Sequence, residues 1–361
     1  MRLQVAFRAD ASIRIGTGHV MRCLTLADTL RARGADCMFL CRPHEGHLLD
    51  LITARGHQGL ALPPASSAAK TDHLYGEWLG ADPLEDAWHA REALAARRVQ
   101  ALVVDHYALD QTWEQVLRPV CHRLMVIDDL ADRAHDCDLL LDQNLGRTES
   151  DYQPWTPASA KRLTGPRYAL LRPEFAQWRE VSLRRRSVPR LQTLLITLGG
   201  VDARNMTVRV LAVLAHAALS PALQIVVVCG SHSPWLAEVR AQAAAMPRPT
   251  RVLVGVDDMA RWMAESDLAI GAAGSTSWER CCLGLPTWLT VLADNQRGAA
   301  DALAASGAAQ CFEGPEALHG LMAALTPTAL AEMSQAAQRL CDGLGAPRVA
   351  DALLQGLMPV L

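Results

Sequence analysis

The 361-residue sequence has no apolar run long enough to cross a bilayer. No basic stretch followed by an apolar signal segment precedes the first strand pattern, Leu3 to Phe7. A cytoplasmic chain without membrane insertion is therefore expected. There is no charge surplus either: 35 Lys+Arg against 38 Asp+Glu give a net charge of -3. That balance gives no reason to expect nucleic acid or an acidic membrane as partner. Zinc-type spacing is also missing. Of ten cysteines, only Cys37 and Cys41, with His44 and His47, form a grouping, and it matches no zinc pattern. Cys37, Cys41, Cys229, Cys281, Cys282 and Cys311 lie in apolar stretches and read as reduced core residues. No metal or other cofactor is expected.

What is present is a chain half apolar and longer than one core usually fills, so two domains are the default. Apolar runs alternate with helical patterns: Leu3 to Phe7, a helix from His19, Cys37 to Cys41, a helix around His47 to Ala54, then Gly59 to Leu62. This is the rhythm of βαβ units on a parallel sheet. Residues Ala65 to Lys70 read as a surface loop, and Ala101 to Val104 as a buried parallel strand.

The first half is organised around Gly16, Thr17, Gly18, His19, Val20, Met21 and Arg22, a glycine turn between a strand and a helix. Val20, Leu24, Ala27 and Leu30 recur at helical spacing. The glycines allow positive φ and close approach of a ligand to the backbone, and the first free N–H groups suit a phosphate or polar sugar. The helix dipole disfavours an imidazolium at His19, so a neutral ring able to accept a proton is expected. A plain βα turn with a satisfied histidine is the alternative. A dinucleotide fingerprint would need glycine at Met21.

Asp105, His106 and Tyr107 follow the next strand at its carboxyl end, where open α/β sheets place ligands. Asp128 and Asp129 end another strand, and Asp142, Gln143 and Asn144 a third. Adjacent carboxylates on one turn point apart, so a loop role for Asp128 and Asp129 is the safer reading. Residues 176–189, with Arg184, Arg185 and Arg186 running into Pro189, read as a solvated linker between a domain at 1–175 and one at 190–361.

The second half repeats the pattern. Leu194 to Leu198, Gly199 and Gly200, and a helix from Asn205 echo the first glycine turn. Gly255 to Met259 turns into another helix. Asp267 to Glu279 runs from a strand through glycines and hydroxyls into a helix. Ser275 or Thr276 can cap that helix, and its N–H groups suit a pyrophosphate. Glu279 can pair with ribose hydroxyls, or complete nothing more than a capping arrangement. Asn295 and Gln296 follow the strand Thr287 to Leu292. The architecture expected is two facing Rossmann-like doubly wound domains, with a ligand cleft between them closed by hinge motion.

Six motifs in register, GTGHVMR (16–22), VVDHY (103–107), IDDLADRAHDCDLLLDQNLG (127–146), GGVDARN (199–205), GAAGSTSWE (271–279) and LADNQ (292–296), resemble the UDP-2,4-diacetamido-2,4,6-trideoxy-β-L-altropyranose hydrolases of pseudaminic acid biosynthesis. That family is similar to the GT-B-like nucleotide-sugar glycosyltransferases, including the peptidoglycan N-acetylglucosaminyltransferase. The resemblance implies metal-independent hydrolysis of a UDP-sugar with inversion. His19 would be the general base, with Gly18 on its turn and Arg22 and Tyr107 on the sugar side. Gly200 and Asn205 would lie near the diphosphate, Val256 and Met259 by the uracil, Ser275 and Thr276 on the phosphates and Glu279 on the ribose. Asn295, with Gln296 beside it, would reach the diphosphate or sugar. A monomer with a UDP-sugar as its partner is expected. Transfer of the sugar to an acceptor, or UDP-sugar binding without chemistry, are the competing readings.

Overall fold

A computed structural model describes residues 2–66, 75–200, 202, 204–231 and 233–357. Residues 67–70 of the expected surface loop, and Val201 and Ala203 of the second glycine turn, lie outside them. The described residues form two compact units, one running to Leu170 and resuming at Gly345, the other spanning Leu171–Leu344. No described helix is long and apolar enough to cross a membrane.

The first unit is a parallel sheet of β1 (Gln4–Ala9), β2 (Asp36–Cys41), β3 (Gln58–Ala61), β4 (Val99–Asp105), β5 (Cys121–Ile127), β6 (Leu139–Asp142) and β7 (Lys161–Thr164), ordered β3-β2-β1-β4-β5-β6-β7. Both faces are covered, which explains the unbroken apolar runs. Ala101 and Val103 of β4 enter one core with Val5 and Phe7, while Leu102 and Val104 enter the other with Ala6 and Leu40. Strand order reverses between β1 and β4. Parallel α/β sheets open a crevice at such a point, beyond the carboxyl ends of the strands.

Helices of this unit are α1 (Gly18–Ala32), α2 (Leu49–Ala54), α3 (Gly76–Leu79), α4 (Pro83–Leu94) and α5 (Gln111–Leu117). A buried ionic cluster ties α4 to the sheet. Asp86 accepts from Arg8 Nη2 at 2.9 Å, Arg42 Nε at 2.7 Å and Trp113 Nε1 at 2.9 Å, all without solvent contact at the carboxylate.

The second unit holds α6 (Pro173–Arg186), α7 (Met206–Ala215), α8 (Leu236–Ala244), α9 (Met259–Glu265), α10 (Thr276–Cys282), α11 (Arg297–Ala305), α12 (Leu318–Ala324) and α13 (Pro327–Leu340). Its parallel sheet contains β8 (Thr193–Thr197), β9 (Gln224–Cys229), β10 (Thr250–Val254), β11 (Leu268–Ala272), β12 (Thr287–Thr290) and β13 (Ala309–Cys311), ordered β10-β9-β8-β11-β12-β13. Here the order reverses between β8 and β11.

Two boundaries differ from the sequence reading. The stretch 176–189, expected to be a linker, lies largely within α6, which belongs to the second unit. Of the arginine run, Arg184 is exposed, but Arg185 and Arg186 are not simply solvated. Arg179 donates to the carbonyls of Cys282, Cys341 and Gln338, Arg186 to those of Met263 and Ser266, and Arg185 pairs with Asp267 at 2.8 Å. Several of these carbonyls lie at helix ends, where cationic donors are favourable. The final helix, α14 (Gly345–Leu354), belongs to the first unit rather than to the domain expected at 190–361. Val349, Ala350 and Leu353 are fully buried in the core that holds Val20, Leu24 and Ala27 of α1. Gly345 has no room for a side chain: a Cβ there would lie 2.2 Å from the Ala169 carbonyl oxygen.

Candidate active site

The glycine turn after β1 forms as expected, with one refinement. Gly16 sits at φ 81°, the left-handed conformation glycine permits, and exchanges backbone hydrogen bonds with Ser12. Gly18 has no such φ and opens α1, where a Cβ would meet no atom of the described residues within 4 Å. Thr17, at the N-cap, makes no side-chain cap. The leading N–H groups of α1 are thus not taken up by a capping side chain.

His19 follows, largely buried, and its charge environment differs from the sequence expectation. Its Nδ1 lies 2.6 Å from Oδ1 of Asp105, at the end of β4. Burial opposes ionisation of Asp105, but the Arg22 guanidinium, followed by His19, holds its carboxyl well below the usual range. An ionised carboxylate only accepts, so Nδ1–H must donate. In a neutral ring so oriented, Nε2 carries the basic lone pair. The helix dipole is therefore not the only field at the ring: the Asp105 carboxylate also faces it and sets its orientation.

Arg22, one turn along α1, is held rather than extended. Its Nε and Nη2 meet Asp105 at 2.6 and 2.7 Å, and its Nη1 and Nη2 meet Asp129 at 3.1 and 2.8 Å. Burial opposes its charge, yet the two carboxylates keep its pKa well above the ordinary value. Asp129 Oδ2 also accepts the Tyr107 hydroxyl at 2.6 Å, and Asp129 Oδ1 accepts Asn144 Nδ2 at 2.7 Å. Asn144 reaches on to Asp142 at 2.8 Å, and Tyr152 donates to the other Asp142 oxygen at 2.8 Å. Burial, then the neighbouring Asp129 charge, pushes the Asp142 carboxyl up to about 7.

The neighbouring carboxylates Asp128 and Asp129 do diverge. Asp128 turns to Arg133 and the backbone of Leu130 and Ala131, a loop role, whereas Asp129 faces Arg22 and Tyr107. Sequence reasoning had no signal separating them. An aromatic wall completes the first-unit site. The Tyr107 ring meets His19 edge-on at 4.7 Å and stacks on Trp78 at 5.8 Å, and Tyr75 packs against both Trp78 and Tyr107. Trp78 and Tyr75 were not foreseen as site residues.

Among the described residues, no group of three or more His, Cys, Asp or Glu is placed to hold a metal ion. Cys37 and Cys41 lie buried on β2, where burial pushes the Cys37 thiol up to about 12 and disfavours a thiolate ligand.

In the second unit the candidate residues gather on loops at the carboxyl edge of the sheet. Gly199 (φ 94°) and Gly200 follow β8, and a Cβ on either would meet nothing within 4 Å among the described residues. Asn205 stands at φ 49° before α7 and makes no cap; its Oδ1 is buried without a partner among the described residues. The helix is capped by Asp202, which accepts from Met206 and Thr207 at 2.9 and 2.8 Å and was overlooked in the sequence. Gly255 (φ 59°) leads into α9, with Val256 half-buried and Met259 its first residue.

Ser275 and Thr276 start α10, but neither side chain caps it, contrary to expectation. The first turn is closed instead by Ser277 N–H to the Gly274 carbonyl at 2.9 Å. Half-buried Glu279 has its carboxyl pushed up to about 7 by desolvation, which Arg172 and Arg280 only partly offset. Asn295 is exposed in the turn Asp294–Gln296, and Gln296 Oε1 accepts from Leu292 N–H at 3.0 Å. Arg172 was not foreseen.

Residues 193–352 match the Glycosyltransferase family 28 C-terminal domain. The UDP-2,4-diacetamido-2,4,6-trideoxy-beta-L-altropyranose hydrolase of Campylobacter jejuni is 25% identical over 84% of this chain and 97% of its own, in line with the resemblance carried by the six motifs. Among solved structures, Acinetobacter baumannii MurG superposes with TM-score 0.73 at 19% identity, covering 98% of this chain and all of the other. A Listeria monocytogenes protein described as a putative UDP-N-acetylglucosamine 2-epimerase gives TM-score 0.62 at 12% identity, covering 99% of this chain and 97% of its own. The fold is thus of the GT-B type, two Rossmann-like α/β domains.

Proposed function

We propose that the chain is an enzyme acting on a UDP-sugar, and that its reaction is hydrolysis of UDP-2,4-diacetamido-2,4,6-trideoxy-β-L-altropyranose. In this reading His19 Nε2 takes a proton from water, which attacks the anomeric carbon. The C1–O bond to the diphosphate breaks with inversion, and UDP leaves with the bonding pair. The products are UDP and 2,4-diacetamido-2,4,6-trideoxy-L-altrose. The observation that carries this reading is the His19–Asp105 pair, with Asp105 kept ionised by Arg22. A histidine so held has the tautomer and orientation of a general base.

Supporting it on the nucleotide side are the open glycine loop at Gly199 and Gly200 and the uncapped hydroxyls of Ser275 and Thr276, assigned to the diphosphate. Glu279 is assigned to the ribose, Val256 and Met259 to the uracil, and Asn205, Asn295 and Gln296 to the diphosphate and sugar. Tyr107, with Gly18, is assigned to the sugar side; Arg22 acts there by holding Asp105 and Asp129. The hydrolase similarity supports the substrate.

Glycosyl transfer to an acceptor hydroxyl is the second reading, favoured by the match to the family 28 C-terminal domain. Incubation with the UDP-sugar alone, followed by NMR, separates the two. Free sugar and UDP formed without acceptor support hydrolysis. Turnover only on adding an acceptor sinks it.

A further inference from the structure

Arg280 of α10 is 1% exposed. Its Nη2 donates to the Ala272 carbonyl at 2.7 Å and to Ser277 Oγ at 3.0 Å, but Nε and Nη1 are buried with no hydrogen-bond partner among the described residues. Burial lowers its pKa to about 10, so it remains a cation at neutral pH. Stripping a cation of water without pairing it costs on the order of several kcal/mol. On α10 itself the neighbours Trp278, Cys281 and Cys282 are apolar or weakly polar, and the Glu279 carboxylate acts on the cation from nearby without an ion pair to it.

The location of the guanidinium gives the reason. A Cβ on Gly271 would lie 2.1 Å from Arg280 Nη1 and 3.2 Å from the Thr197 carbonyl oxygen, so glycine leaves the space that the guanidinium fills. Gly271 and Thr197 are register partners at the carboxyl ends of β11 and β8. These are the strands between which the order reverses, and the Gly199–Gly200 and Ala273–Thr276 segments leave from them. The buried cation therefore sits directly beneath the crevice where a doubly wound sheet receives its ligand.

We infer that Arg280 is the fixed counter-charge of a diphosphate subsite at the β8–β11 crevice, a positioning residue that acts through the Ala272–Ser277 loop it holds and through the poorly screened space below. This rests on the nucleotide reading above and adds to it. A charge fixed before the reaction stabilises the leaving diphosphate without reorganisation. It also separates two parts of the ligand: the diphosphate should feel Arg280 directly, and the nucleoside only through the Glu279 carboxyl beside it.

Calorimetric titration of UDP, UMP and uridine into the wild type, Arg280→Met, Arg280→Gln and Arg280→Lys tests this. Arg280→Met is expected to bind UDP at least ~10-fold more weakly, as for loss of one buried charge, and to lose several-fold less for uridine, which meets the change only through Glu279. Arg280→Lys should recover most of the difference. Should Arg280→Met not fold, Arg280→Gln, which removes the charge and keeps an amide donor in the cavity, should show the same selective loss. UDP and uridine weakened equally in the Gln variant, or UDP unaffected there while wild type binds it, would overturn the role of Arg280 and leave the nucleotide reading intact. Wild type that binds neither UDP nor uridine would overturn both.

Discussion

His19 and Asp105 are separated by 86 positions in the chain and meet at 2.6 Å, Nδ1 to Oδ1. The contact joins the start of α1 to the end of β4, across the point where the first sheet changes direction. It gives the imidazole one fixed tautomer and a neighbouring negative charge, the two properties a base needs to take a proton from water.

Replacing His19 by Ala should lower turnover by about two to four orders of magnitude and leave UDP affinity nearly unchanged, the pattern for loss of a general base. Asp105→Asn should lower kcat to a similar extent, because a carboxamide no longer enforces the Nδ1–H tautomer. Steady-state kinetics and UDP titration on each variant check this. Unchanged turnover in His19→Ala removes that residue from the mechanism.

Arg22 is expected to govern behaviour in acid. Its charge holds the Asp105 carboxyl below the ordinary value, so the pair contributes stability above the unfolded-state pKa of about 3.9. That contribution is lost as pH falls through the lower folded value. In Arg22→Met, burial acts on Asp105 without the guanidinium to oppose it. The acid-unfolding midpoint, followed by near-ultraviolet circular dichroism, should therefore move to higher pH. A midpoint identical to that of wild type would show that the clamp is not what keeps Asp105 ionised.

Asp142 has the opposite sign. Its folded value of about 7 exceeds its unfolded value, so its contribution is fully present below about pH 3.9 and is lost as pH rises toward 7. Asp142→Asn, neutral throughout, should flatten the fall in stability between those limits. Urea midpoints measured across pH 4 to 7, about the window set by these values, decide it. A slope equal to the wild type's assigns the effect elsewhere.

Asp86→Ala is expected to destabilise by about 3–5 kcal/mol, since Arg8 and Arg42 would stay buried around a missing carboxylate. Asp86→Asn, which keeps the shape and one acceptor, should cost less. Chemical denaturation of both compares them. Equal, small losses would mean that water replaces the carboxylate.

Much of this was legible because parallel strands buried on both faces show as unbroken apolar runs. Cys37 to Cys41 and Ala101 to Val104 were read inside the strands observed at Asp36–Cys41 and Val99–Asp105. Asp105 and Tyr107 were legible as site candidates because they directly follow such a run. Other features left no local trace. The division of labour between Asp128 and Asp129 depends on which turn direction meets Arg22, and β7 (Lys161–Thr164) is too short and polar to show a pattern. Arg186 looked solvated because its partners, the Met263 and Ser266 carbonyls, belong to the backbone and have no sequence signature, and Arg185 because its partner Asp267 lies far along the chain. Asp202 was hidden by a left-handed backbone at φ 47° that no spacing rule anticipates.

The return of α14 to the first sheet has a consequence for biosynthesis. On the ribosome, the face of α1 bearing Leu24 and Ala27 must wait for Val349 and Leu353 to emerge, more than three hundred residues later. The intervening unit can fold while its predecessor is still incomplete. A nonsense codon just before Gly345 would thus strike the unit farthest from it in translation order.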